Sequence, residues 1–158
     1  MAALSAAGAV EVRPAEEAER PALGALWYRS ALEAHPYLPR LQALSEAEGV
    51  RAFEAFSRPL ELWCATLDGA VVGLLGLEGD WIDRLYVAPD AQGLGVGTRL
   101  LDEARRLRPD GFRLFTHQKN ARARRFYERA GLVAVRLGIS PAPESEPDVE
   151  YRWAGRAR

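Results

Sequence analysis

Three glycines at alternate positions, in Gln92-Gly93-Leu94-Gly95-Val96-Gly97-Thr98, lie between a strand-like stretch and a helix-like one. No other feature limits the fold and chemistry of this chain as tightly. The first turn of a helix presents backbone N–H groups with no intrahelical partner and carries the positive end of the helix dipole. Glycines there let the main chain approach an anion, so a phosphate can rest on those N–H groups. Thr98 adds a hydroxyl donor. Two phosphate loops are excluded. A P-loop requires Gly-Lys-Ser/Thr, and the segment has no lysine. A dinucleotide-binding GxGxxG loop requires glycine at position 98, which is threonine, and a βαβ setting. A third spacing, Q/R-x-x-G-x-G/A, is satisfied by Gln92, Gly95 and Gly97.

The surroundings of the loop define the fold class. Residues 60–67, 70–77 and 81–87 read as strands joined by tight turns at Asp68-Gly69 and Glu78-Gly79-Asp80, an antiparallel meander. Before them, a short strand at 10–13 leads to helices over 16–34 and 45–56. Leu23, Leu26, Trp27, Ser30, Ala31 and Ala34 recur at helical spacing in the first, Ser45 and Glu48 form a capping box for the second, and Pro36 and Pro39 break the chain between them. After the loop come a helix at 98–107, a strand at 112–116, a helix at 120–130 ended by Gly131, a strand at 132–137, a proline-rich loop at 140–147 and a strand at 149–153. Helices and strands mix without simple alternation, which argues against a uniform doubly wound parallel sheet. The domain is expected over 10–153, with a disordered tail at 1–9 and a short tail at 154–158.

Composition narrows the function. A net charge of −1 argues against a nucleic-acid partner. No apolar run reaches the roughly 18–20 residues of a membrane span, so no membrane partner is expected. Cys64 is the only cysteine, which rules out an internal disulfide and cysteine-cluster metal sites. A reducing, cytoplasmic setting and no metal are expected.

The segment WIDRLYVAPDAQGLGVGTRLLDEA resembles the central motif of GNAT N-acetyltransferases, and NARARRFYERAGL resembles their next motif. Element order and chain length agree, so the resemblance covers about residues 10–153. It implies an α/β fold of the α+β type, a mixed, mostly antiparallel sheet of six or seven strands flanked by about four helices. It also implies acetyl-CoA as cosubstrate and direct transfer of acetyl to a primary amine, on a small molecule or a peptide, in a ternary complex. The loop Gln92, Gly93, Leu94, Gly95, Val96, Gly97 and Thr98 would hold the pyrophosphate, although many relatives have a basic residue where this chain has Gly93 and Leu94. The backbone of Leu85, Tyr86 and Val87, at a bulge ending the strand, would hold the pantetheine arm. Asn120 would contact that arm, Ala123 would let it pass, and Tyr127 would protonate the leaving thiolate. Arg124 points nearer the cofactor than Arg122, Arg125 or Arg129.

The amine must also lose a proton. Trp81, Asp83 and Leu85 are expected on one face of their strand. By resemblance, Asp83 is the first candidate for general base; a salt bridge is its alternative role. His117 is the second candidate. Trp27, Tyr28, His35, Tyr37 and Trp81 supply aromatic surface for an acceptor pocket, while Cys64, mid-strand, reads as packing. A non-catalytic acetyl-CoA sensor and a nucleotide-dependent oxidoreductase are the rival readings. A homodimer is possible on the pattern of relatives, with an exposed Trp153 on the last strand as the contact.

Overall fold

The structure, a computed structural model, describes residues 8–157; most of the expected tail at 1–9 falls outside it, as does Arg158. In chain order it comprises β1 (Glu11–Pro14), α1 (Arg20–Ala34), α2 (Pro39–Gln42), α3 (Glu46–Phe56), β2 (Glu61–Leu67), β3 (Ala70–Glu78), β4 (Trp81–Val87), α4 (Val96–Leu107), β5 (Phe112–His117), α5 (Ala121–Arg129), β6 (Val133–Ile139) and β7 (Pro147–Trp153). The strands form one sheet in the order β1-β2-β3-β4-β5-β7-β6. Every neighbouring pair is antiparallel except β4 and β5. The fold is the mixed, mostly antiparallel architecture expected from the sequence.

Local chemistry accounts for most boundaries. Asp68 and Gly69 both take positive φ, 50° and 80°, the primed turn that matches strand twist. The Ser45 hydroxyl accepts from the Glu48 N–H at 3.2 Å and caps α3. Pro39, expected to break the chain, instead opens the short helix α2, where its fixed φ suits the first helical position and its missing N–H costs nothing. Pro14 is tolerated inside β1 because β1 is an edge strand. Helix α1 packs on α3, and α1 and α4 both pack on β3 and β4. Leu23, Leu26, Phe53, Leu74, Leu75, Leu100 and Leu101 are fully or nearly fully buried there.

Two irregularities make room for a site. β4 and β5 pair in register only at Trp81 and Arg113, next to a hydrogen bond from the Arg113 N–H to the Asp80 carbonyl at 2.9 Å. Beyond that point the strands diverge and the sheet opens as a wedge. The second irregularity lies in β4 itself. Gly76 faces Arg84 while Leu77 faces Ile82, so Asp83 is an extra residue, a β-bulge. The bulge was expected at the strand's end, at 85–87. Its position at Asp83 breaks the alternation that placed Trp81, Asp83 and Leu85 on one face. Trp81 now shares a side with Arg84 and Tyr86: it stacks on Phe115 at 4.7 Å, Arg84 lies 4.3 Å over Phe56, and Tyr86 meets His35 at 6.4 Å.

At the far edge, β6 exposes Val133, Val135, Leu137 and Ile139. Trp153, expected to be exposed, is half-buried and packs on Phe112 with ring centroids 5.3 Å apart. The dimer contact read from it therefore loses its anchor. Among the described residues no helix is long and apolar enough to cross a membrane.

Candidate active site

A cavity of about 330 Å³ opens where the wedge meets the start of α4. Its lining includes Leu85, Tyr86, Val87, Gln92, Gly93, Gly95, Val96, Gly97, Thr98, Asn120, Ala123 and Tyr127, residues that the sequence places far apart. Gly93 and Gly95 take φ of 80° and 82°, which a residue with a Cβ adopts only under strain. Gly95 caps α4 in this left-handed conformation, so the helix starts at Val96, two residues earlier than expected, and Thr98 falls in its first turn. A Cβ on Gly97 would lie 3.2 Å from the Phe126 ring, a contact tight enough that the ring would have to give by a few tenths of an ångström. The Leu94 side chain, 52% exposed, does not line the cavity.

The β4 backbone contributes as well. The Ala88 N–H donates to the Val72 carbonyl at 2.8 Å, which turns the backbone groups of alternate residues, Leu85 and Val87, away from β3 and toward the wedge. The Val87 carbonyl there accepts from the Ser30 hydroxyl at 3.0 Å. Tyr86, named with its neighbours for backbone contact, pairs its main chain with Leu74 and brings only its side chain to the site.

Asn120 is the N-cap of α5 rather than its first residue: its side-chain oxygen accepts from the Ala123 N–H at 3.1 Å. That leaves the side-chain NH₂ as the group free to meet a ligand. Tyr127 is buried, and its hydroxyl has no hydrogen-bond partner among the described residues. Burial, with Tyr86 alongside, pushes its phenol well above the ordinary range, so the hydroxyl stays protonated at neutral pH. Arg124 departs from expectation. Its Nε donates to the Tyr151 hydroxyl at 3.2 Å, beside Glu128, and this draws it to β7 and off the cavity. Arg122 lines the cavity in its place.

A second, larger cavity of about 770 Å³ shares Leu85, Tyr86, Asn120, Ala123 and Tyr127 with the first. Trp27, His35, Trp81, Asp83 and His117 line it, together with Glu78, Arg84, Phe115 and Glu144. Tyr28 does not: its hydroxyl donates to the Leu44 carbonyl, fixing the ring against α3. Asp83 is exposed and bound to Arg84, carboxylate to guanidinium at 3.0 Å, the salt bridge named as its alternative role. His117 holds the Tyr37 hydroxyl at Nδ1, 2.8 Å, and faces Glu144 at Nε2, 3.4 Å. His35 meets the His117 ring edge-on at 5.0 Å, and burial, with His117 and Arg84 nearby, lowers its pKa to about 4. Cys64 is fully buried in β2 and lines neither cavity. Arg122, Ser30 and Glu144 carried no motif signal that singled them out for these positions, and Tyr37, expected among the aromatic residues of the acceptor pocket, reaches it only through His117.

Residues 58–132 match the family model described as an acetyltransferase (GNAT) domain. The peptidyl-lysine N-acetyltransferase YjaB of Salmonella typhimurium is 30% identical over 123 residues, 77% of this chain and 82% of the relative. This chain belongs to the GNAT acetyltransferase family. The fold agrees with that assignment: the solution structure of apo YjaB from Escherichia coli superposes with a TM-score of 0.78 at 24% identity, over 94% of this chain and 99% of that one. A structure of yncA from Salmonella typhimurium, solved with its cofactor acetyl-CoA, superposes with a TM-score of 0.66 at 18% identity, over 96% of each chain. The GNAT site of this chain fits such a cofactor on its own geometry. Two glycines hold a φ that other residues adopt only under strain, a third leaves a Cβ tight against Phe126, and the β4 backbone at Leu85 faces the wedge.

Proposed function

We propose that this chain transfers the acetyl group of acetyl-CoA directly to a primary amine, with the side chain of a lysine in a peptide or protein as acceptor. The observation that carries the reading is Tyr127, a buried tyrosine with an unpartnered hydroxyl on the wall common to both cavities. When bound, acetyl-CoA supplies an activated acetyl thioester. The α4 N-terminus and Thr98 hold its phosphates, with Arg122 adding charge. The Leu85 N–H polarises the acetyl oxygen. Asn120 and Val87 hold the pantetheine arm, and Ala123 leaves it space. Tyr127 gives its hydroxyl proton to the departing sulfur.

The larger cavity supports a cationic acceptor. Trp27, Trp81 and Phe115 offer apolar surface to an alkyl stem, and Glu78 and Glu144 offer carboxylates to an ammonium. YjaB of Salmonella typhimurium, by its name, acts on peptidyl-lysine, which favours the same acceptor here. Burial of Cys64 away from both cavities supports direct transfer over a cysteine-bound acetyl group.

The test is acetyl-CoA-dependent thiol release over lysine peptides, free amino acids and polyamines, with Tyr127→Phe beside the wild type. Lysine peptides are expected to turn over, and the variant to lose roughly 10²-fold or more in kcat with acetyl-CoA binding kept. Binding of acetyl-CoA without transfer to any amine would replace this reading with that of a sensor module.

A further inference from the structure

We propose that His117, not Asp83, takes the proton of the acceptor amine, with Tyr37 orienting its ring and Glu144 stabilising the imidazolium that forms. The inference rests on the proposed acetyl transfer and assigns a step left open by it. Three separate segments converge on this histidine: Tyr37 from the connection between α1 and α2, His117 from the end of β5, and Glu144 from the loop between β6 and β7. The two ring nitrogens are not equivalent. Nδ1 is engaged by the Tyr37 hydroxyl at 2.8 Å, and Tyr37 does not line the acceptor cavity. Nε2 lies 3.4 Å from a Glu144 oxygen, and both His117 and Glu144 line the cavity. The Nε2 edge therefore faces the acceptor.

In the tautomer with its proton on Nδ1, donated to the Tyr37 oxygen, Nε2 carries the lone pair and is the basic atom, and the Glu144 oxygen meets a proton once Nε2 takes one. The side chain is 13% exposed, so little water competes for it. Asp83 offers the opposite conditions. It is open to solvent and spends one oxygen on Arg84. The protons balance as follows. His117 Nε2 takes one proton from the acceptor ammonium, freeing the nitrogen lone pair that forms the C–N bond. The C–S bond pair goes to sulfur, which receives the Tyr127 hydroxyl proton. The second proton of the nitrogen returns to Tyr127, and His117 loses its own to solvent past Glu144.

The groups that set the behaviour of His117 are His35 from the end of α1, Tyr37, Glu144 and its cross-strand neighbour Asp148 on β7; Lys119, bound to Glu146 and set over the Tyr37 ring, and Arg84 lie in the next ring of charge.

The experiment is the pH profile of kcat/KM for acetylation of a lysine peptide, with acetyl-CoA affinity measured by calorimetry on each variant. His117→Gln is expected to lose about 10²-fold in kcat and the acidic limb of the profile, with affinity for acetyl-CoA unchanged. Glu144→Gln is expected to lower kcat with acetyl-CoA affinity unchanged and to add little when combined with His117→Gln, a coupling that a merely structural role would not produce. Tyr37→Phe, which keeps the ring in place, is expected to lower kcat with the acetyl-CoA KM unchanged. Asp83→Asn is expected to stay within about threefold. A wild-type limb retained in His117→Gln, or lost in Asp83→Asn, overturns the assignment alone. A wild type that acetylates no amine overturns the proposed function, and this assignment with it.

Discussion

The two cavities that meet at Tyr127 are built by different means. The cofactor side is mostly main chain: the glycine loop, the first turn of α4, the wedge-facing backbone of β4 and the cap of α5. The acceptor side is mostly side chains, brought from α1, the α1–α2 connection, β4, β5 and the loop before β7. Backbone groups are the same whatever the residue, so the first half constrains sequence only where a side chain would intrude. Side-chain chemistry carries the second half, and there each position is free to differ. A ligand common to many enzymes suits the first construction, and an acceptor that differs between enzymes suits the second.

The largest test of that contrast places atoms where the main chain needs none. Gly97→Leu is expected to weaken acetyl-CoA binding by roughly 10²-fold, toward the upper end of the 1–3 kcal/mol that overpacking costs, because the Cβ alone would meet Phe126 at 3.2 Å. Calorimetry with acetyl-CoA reads the loss. Unchanged affinity would mean that the close approach of loop and helix is not part of the cradle.

Gly95→Ala adds a single methyl group that meets no neighbour within 4 Å, so any effect comes from φ of 82°. A cost of about 1–2 kcal/mol in stability is expected, read from denaturant unfolding. An unperturbed midpoint would show that the helix start relaxes without its left-handed cap.

The contrast also explains what the sequence shows in advance. The motifs place Gln92, Gly95, Gly97, Asn120, Ala123 and Tyr127 at one site because local backbone geometry dictates their spacing. The meander and its turns are legible for the same reason. The bulge at Asp83 is not, because it depends on the register with β3, and a one-residue slip reverses every face after it. Nor is the exchange of Arg124 for Arg122: helix spacing from Asn120 favours Arg124, and the Tyr151 hydroxyl on β7 draws it away. The His117–Tyr37–Glu144 contact joins three connections whose distance in sequence hides it.

That exchange gives a smaller test. Arg122→Ala is expected to raise the KM for acetyl-CoA about fivefold, less at high salt, since one exposed cation near a phosphate contributes on the order of 1 kcal/mol and is screened. Arg124→Ala is expected to leave that KM unchanged and to lower Tm slightly through loss of its bond to Tyr151. Opposite results would return Arg124 to the cofactor.

The last test belongs to the acceptor side and to pH. His35 titrates at about 4 in the folded chain, below the ordinary 6.5, because burial beside His117 disfavours its charged form. Between those two values the unfolded chain binds a proton that the folded chain does not. Stability therefore rises with pH across that window and is flat, as far as His35 is concerned, above it. The carboxylates held low by arginine partners, Glu17, Glu19 and Glu61, act in a different range, since their contribution is lost only below the ordinary carboxylate value of 4.5. The interval from about 4.5 to 6.5 thus lies above the range of these carboxylates. Thermal melts across it are expected to fall with acidification in the wild type and to flatten in His35→Gln. An equal slope in both would place the burden on another group and leave His35 without a role in the packing of the acceptor wall.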